Sequence, residues 1–194
     1  MAPNALRTPT GMVMFPHLFV ARPRSTGGEP VFSLNLLFDQ AAQKTPEYQA
    51  IRQAIADAID GEFGAGKSKD AVFCKTLRLP LRDCGEKTQY AGFKAGDKFI
   101  NPWTKTKPGL VDGNLADIHA ATDVFAGMLA RCTMTAFAYN KAGNRGVNFM
   151  LNNVQIVNAD MPRMDGRRSA NSDFESVANT DSGLGPNDDD AAPF

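Results

Sequence analysis

The sequence predicts a mainly β domain of five to six strands with one α-helix inserted at about residues 46–60, followed by a disordered acidic C-terminal tail. Three observations carry that prediction. Apolar residues alternate at period two in several separate runs. One stretch alone carries a capped stripe at helical spacing. Near residue 160 the composition changes from apolar-rich to Ser, Asn, Gly and Asp.

The first two strands are read in "GMVMFPHLFVAR" and "VFSLNLLFD", where Phe32, Leu34, Leu36 and Phe38 alternate with smaller or polar residues. The "PRSTGGEP" between them is rich in turn residues. The helix follows. Thr45 caps it, Pro46 takes the first helical position and Glu47 sits in the first turn. Ile51, Ile55, Ala58 and Ile59 form its apolar stripe, and Gly61 is the expected stop. Further strands are read in "AVFCKTLRLPL", "DKFINPWTK", "LARCTMTAFAYN" and "GVNFMLNNVQIV". The last two are joined by "KAGNRG", which has hairpin chemistry. Residues 110–127 permit a short helix through Leu115, Ile118 and Phe125 without requiring one.

The 194 residues are enough for one domain of residues 1–160 with a tail of residues 161–194. No stretch approaches the roughly 20 apolar residues that span a bilayer, and "MAPNALRTPTG" lacks the apolar core of a secretory signal. Cys74, Cys84 and Cys132 make an odd number without a CxxC pair, which suits a reducing compartment. His17 and His119 stand far apart, so no zinc constellation or other metal site is expected. A formal net charge of +0 hides an asymmetry. All 21 Lys and Arg lie at or before Arg168, whereas six of the 21 acids follow it (Asp173, Glu175, Asp181, Asp188, Asp189 and Asp190). The body is therefore cationic and the tail anionic, a pattern associated with polyanion binding.

Gly61 to Ser68, "GEFGAGKS", matches the phosphate-loop pattern GxxxxGK[ST]. That motif needs a strand before the loop and a helix after it, so that backbone N–H groups cradle phosphate. Here a helix precedes the loop, and the stretch reads better as a basic connection in which Lys67 and Lys69 remain available to a polyanion.

No acid pair, nucleophile–base pair or metal cluster stands out, so a non-enzymatic protein without cofactor is expected. The informative strand is Met128 to Tyr139. One side carries Met128, Ala130, Cys132, Met134, Ala136 and Ala138; the other carries Leu129, Arg131, Thr133, Thr135, Phe137 and Tyr139. Rings beside cations on an open sheet suit unpaired nucleic acid, because bases stack on rings while Lys and Arg follow phosphates. "DKFINPWTKTK" repeats the mixture with Phe99, Asn101, Trp103, Lys105 and Lys107. Lys75, Arg78 and Arg82 precede it, and Tyr90, Phe93 and Lys94 lie in the intervening "YAGFK". Trp103, Phe137 and Tyr139 are the leading stacking candidates; Arg78, Lys105, Lys107, Arg131 and Arg145 are the leading phosphate candidates.

The terminal "DDDAAPF" resembles the acidic tip of bacterial single-stranded DNA-binding proteins, and the body resembles their tailed-phage counterparts. "MFPHLFVARP", "SLNLLFD", "LPLRDCGEK", "GDKFINPWTKTKPGLVD" and "AYNKAGNRGVNFMLNNVQIV" carry the likeness discontinuously across residues 12–157. The resemblance implies an OB-fold barrel that coats single-stranded DNA during phage replication and recombination in the cytoplasm of the infected host. It further implies that Asp188, Asp189, Asp190, Pro193 and Phe194 recruit replication and recombination proteins. A basic rim around an apolar pocket accepts both the aspartates and the ring. From residue 161 the 34 tail residues span about 30 Å as a flexible coil, enough to reach the domain's own cationic surface, at an effective concentration near millimolar. No membrane or small-molecule partner is expected. The rival readings are a P-loop nucleotide-binding protein using Gly61 to Ser68, and a phage structural or chaperone-like protein that does not bind DNA.

Overall fold

The computed structural model describes residues 5–24, 26–141, 143–166 and 173. Among the described residues nine strands are present: β1 (Leu6–Arg7), β2 (Gly11–Pro23), β3 (Pro30–Phe38), β4 (Arg82–Asp83), β5 (Lys98–Ile100), β6 (Trp103–Thr104), β7 (Gly109–Val111), β8 (Leu129–Lys141) and β9 (Asn144–Asn158). The helices are α1 (Pro46–Phe63) and α2 (Ala71–Cys74).

Five long segments close into a ring. β8 pairs with β2, β2 with β3, β3 with β5 and β6, β6 with β9, and β9 returns to β8. The β6–β9 contact is parallel and the others are antiparallel. This is the OB-fold barrel, in which β5 and β6 are one strand interrupted at Pro102, a residue without an amide hydrogen for the ladder. Closure leaves few free edges, and only short β1, β4 and β7 add to the outside.

Alternation divides each strand between interior and exterior. Val13, Leu18, Leu34, Leu36, Phe38, Ile100, Cys132, Met134, Val147, Phe149 and Leu151 belong to the main core. α1 covers β8 with Tyr48, Ile51, Ile55 and Ile59; each buried isoleucine contributes about 1.5–3 kcal/mol. Its start is as expected, with the Thr45 hydroxyl accepting from Tyr48 N at 3.3 Å. Its end differs. Gly61 lies within the helix, which runs on to Phe63 and stops at Gly64, whose φ of 109° is accessible essentially to glycine alone.

The run at residues 71–81 is not the expected strand. Asp70 Oδ1 accepts from Val72 N at 3.1 Å and Phe73 N at 2.9 Å, which caps α2 and commits those residues to a helical turn. Among the described residues the sheet contact of the rest of this segment is one parallel bridge, Arg78 to Gly146, while Leu77 and Leu81 pack on the main core. Within residues 110–127, Leu110 and Val111 extend the sheet along β9, and Ala121–Asp123 form a 3-10 turn.

A second, smaller core lies outside the barrel and contains Met14, Leu37, Cys84, Phe93, Phe99 and Ala126, with Met164 packed against it. The chain therefore stays on the body past Asp160. Met164 N donates to the Ala126 carbonyl at 2.7 Å, and the Arg163 guanidinium lies 4.2 Å from the Phe125 ring centroid. The tail-tip candidates Asp188, Asp189, Asp190, Pro193 and Phe194 lie outside the described residues. All three cysteines are free, and burial pushes the Cys84 thiol up to about 11 and the Cys132 thiol up to about 12.

Candidate nucleic-acid interface

The outward faces of β2, β3 and β5 form the floor of an open groove of about 1000 Å³. His17, Ser33, Asn35, Phe99 and Asn101 line it from the sheet; Arg22 enters from the end of β2 and Arg24 from the β2–β3 connection. Cys74, Lys75 and residues 77–83 with Glu86 and Lys87 make the opposite wall, which Tyr139 and Asn148 adjoin. Six cations therefore face the groove (Arg22, Arg24, Lys75, Arg78, Arg82 and Lys87) against two acids, Asp83 and Glu86. Both acids are engaged, Asp83 by Lys98 at 2.7 Å and Glu86 by Arg82.

Rings gather at two stations. At one, a β-bulge after Met14 and a φ of 49° at Phe15 turn the Phe15 ring outward, leaving it 37% exposed. It meets Tyr90 edge to face at 5.2 Å, and Tyr90 is 45% exposed. Lys87 lies 6.0 Å from the Phe15 ring and 5.0 Å from the Phe99 ring, and Arg82 lies 5.2 Å from Phe99. Burial holds the Lys87 ammonium below its ordinary range, with the Arg82 charge acting in the same direction. At the other station Trp103 and Phe137 meet at 6.1 Å. The Arg24 guanidinium covers Trp103 at 5.6 Å from its ring centroid. Burial lowers the Arg24 pKa from its ordinary value, and the nearby Tyr139 opposes that shift.

A polar relay joins the stations. Arg24 Nη2 donates to Asn101 Oδ1 at 2.7 Å. Asn101 Nδ2 in turn donates to Asn35 Oδ1 at 2.6 Å and to the Leu34 carbonyl at 3.0 Å.

The sequence candidates divide accordingly. Lys75, Arg78, Arg82 and Tyr139 line the groove. Trp103, Phe137 and Tyr90 flank it as half-buried or exposed rings. Phe93 is 4% exposed and packs against Phe99 at 5.5 Å, so it supports the first station from beneath. Arg145 flanks α2, 5.2 Å from the Phe73 ring, and its carbonyl accepts from Arg78 N. Lys94, Lys105 and Lys107 lie outside the lining; Lys105 pairs with Glu29, and Lys107 sits 5.1 Å from the Phe19 ring. Arg131 shares a strand face with Tyr139 but stands eight residues away, about 26 Å along β8. It donates to Gln155 at 2.8 Å and lines a separate depression with Arg7 and Glu47.

Sequence reading missed Phe15, Arg22, Arg24, Asn35 and Lys87. Arg22 and Arg24 flank the turn-rich connection between the first two strands, and that position is the signal that would have found them. Phe15 depends on a bulge that alternation does not reveal.

The Gly61 to Ser68 segment holds no phosphate cradle. Ser68 N and Oγ both donate to the Asp60 carboxylate, at 2.7 and 3.0 Å, and hold its pKa below the ordinary range. Lys67 faces Asp70 at 3.7 Å. An anion of the protein's own occupies the donors a phosphate would need. Among the described residues no cluster of His, Cys, Asp and Glu is placed to hold a metal, and no helix is long and apolar enough to cross a membrane.

An OB barrel whose β3–β5 face and adjoining loops bear rings, cations and amides defines the class of OB-fold proteins that hold unpaired nucleic acid. The chain belongs to the family of the Enterobacter phage Enc34 ssDNA-binding protein, whose model matches residues 8–184. The structure of the bacteriophage Enc34 single-stranded DNA-binding protein in complex with ssDNA superimposes with a TM-score of 0.65 at 16% identity, covering 80% of this chain and 87% of that one. A second structure of the bacteriophage Enc34 single-stranded DNA-binding protein gives 0.64 at 16% identity, over 86% and 87%. Gp2.5, a single-stranded DNA-binding protein encoded by bacteriophage T7, gives 0.57 at 16% identity, over 87% and 99%. At such identities the likeness is one of fold. No curated protein sequence matches the chain.

Proposed function

We infer that this protein is a phage single-stranded DNA-binding protein that coats exposed strands during replication and recombination. The observation that carries the reading is the groove itself: six cations and two ring stations along one open OB face, in a chain of this family. Cations neutralise phosphates without regard to sequence, and rings accept any base, so binding is tolerant of sequence. The chemistry is association alone, without catalysis or cofactor, and its place is the cytoplasm of the infected bacterium.

The test is a fluorescence-anisotropy titration with single-stranded DNA, duplex DNA and RNA of equal length. Single-stranded DNA is expected to bind most tightly, with affinity falling as salt rises. Equal affinity for duplex and single strand would overturn the reading.

The tail is assigned a second task. Asp188, Asp189, Asp190, Pro193 and Phe194 recruit replication and recombination proteins, and the six tail acids compete with DNA for the groove. Charge complementarity and coil length support this. Deleting residues 188–194 should leave DNA affinity unchanged or higher and abolish co-purification with replication proteins. Loss of DNA affinity in that truncation would overturn the assignment.

A further inference from the structure

We propose that Asn35 reads base edges in the groove, favouring keto bases (thymine, uracil, guanine) over amino bases (adenine, cytosine). This rests on the single-stranded DNA reading above and adds the chemistry of the base to it.

The proposal follows from one-way donation. A guanidinium only donates, so Arg24 Nη2 at 2.7 Å fixes the oxygen of the Asn101 amide toward itself. The Asn101 nitrogen then faces the sheet, and its two hydrogens go to the Leu34 carbonyl and to Asn35 Oδ1. Asn35 therefore has its oxygen engaged at 2.6 Å. Its own amide nitrogen is left as the free end of the relay, with no acceptor among the described residues. Asn35 is only 4% exposed, yet it lines the groove floor beside Ser33, between the two ring stations. That nitrogen reaches the groove without an acceptor of the protein's own, so a base that supplies a carbonyl oxygen there gains a hydrogen bond that an amino group cannot make.

Thymine and uracil carry that oxygen at position 4, and guanine at position 6. Cytosine and adenine carry an amino group in the same place and set N–H against N–H. An asparagine ordinarily serves adenine by offering its oxygen and nitrogen together. Here the oxygen is committed to Asn101, so that pairing is closed. The result is a compositional bias superimposed on sequence-tolerant binding, not a sequence code.

The relay can be reversed. In Asn101→Asp both oxygens at that position accept. Arg24 keeps one, and Asn35 must turn its nitrogen toward the other. Its oxygen then faces the groove and favours amino bases.

The experiment compares oligo(dU) with oligo(dC) of equal length at pH 8, two pyrimidines that differ at position 4. The affinity ratio is measured for wild type, Asn35→Ala and Asn101→Asp, with a thermal melt of each variant. Wild type should prefer oligo(dU), and its ratio should exceed that of Asn35→Ala by roughly three- to tenfold, as one net hydrogen bond allows. Asn101→Asp should lower the ratio below that of Asn35→Ala. A wild-type ratio at or below one overturns the proposal even if neither variant folds. Equal ratios in all three proteins overturn it too, while the single-stranded DNA reading stands. Absence of binding to either oligonucleotide by wild type would instead remove that reading.

Discussion

Tyr139 and Gly146 face each other across the β8–β9 ladder, and the tyrosine hydroxyl sits where a side chain on Gly146 would have to go. A Cβ built there would fall 2.9 Å from Tyr139 Oη and 2.3 Å from the Arg78 carbonyl oxygen. Absence of a side chain at one strand position thus holds a candidate stacking ring and a candidate phosphate contact at the same end of the groove. Gly146→Ala should displace both. Overpacking of this kind costs about 1–3 kcal/mol. A thermal melt should show the destabilisation, and a DNA titration should show weakened binding. A melt and an affinity both equal to wild type would mean that the 74–81 segment moves without consequence.

Phe15 and Tyr90 are expected to contribute to affinity through their exposed faces. Each base stacked on a ring is worth about 1–3 kcal/mol, so Phe15→Ala and Tyr90→Ala should each weaken oligonucleotide binding while leaving the melt nearly unchanged. Phe93→Ala should do the reverse in emphasis. It removes a core ring at 4% exposure, so stability should fall by about 3–5 kcal/mol. Anisotropy titration paired with a denaturant melt separates the two outcomes.

Lys75 and Arg78 are exposed and line the groove, and among the described residues no salt bridge engages either of them. For a single strand the logarithm of the binding constant falls with the logarithm of salt concentration at about 0.7 per neutralised phosphate. Replacing either residue with alanine should therefore reduce that slope by about 0.7. Lys105, which pairs with Glu29 away from the groove, should change it little. Titrations at several salt concentrations, run on all three variants, decide the point.

His17 gives the groove a pH response. Burial is the larger cause lowering its pKa, and the Arg22 charge adds to it. The folded value thus lies below the unfolded value of 6.5. In the interval between them the unfolded chain binds more protons, so stability is full above about 6.5 and declines as pH falls through the folded value. Bound phosphate beside His17 would raise that value, so DNA binding near pH 6 should take up protons. Calorimetric titration in two buffers of different ionisation enthalpy measures the uptake, and His17→Gln should abolish it.

The strands β2, β3, β8 and β9 and the helix α1 were legible because each declares itself locally. An alternation of Phe32, Leu34, Leu36 and Phe38, or a Thr45–Pro46 start before Ile51 and Ile55, needs no distant partner to be read. Gly61 misled because a glycine near a helix end resembles a stop, whereas the actual stop required the positive φ found at Gly64. Residues 71–81 misled because a single carboxylate, Asp70, outweighed a β-branched run. Arg131 and Tyr139 share a strand face, yet strand length places them at different sites.

By itself the sequence determined that a mainly β body with one capped helix carries the positive charge, and that the chain after Arg168 carries only negative charge. It also placed rings and cations on alternating strands. These are properties of neighbours along the chain. Which of those groups act together was decided only by tertiary structure. Barrel closure brings Phe15, Arg24, Asn35, Lys87 and Tyr139 from separate strands and loops to one groove, and sends Arg131, Lys105 and Lys107 elsewhere. The cause is that side-chain periodicity specifies a face, while hydrogen-bonded pairing between distant segments specifies where that face lies.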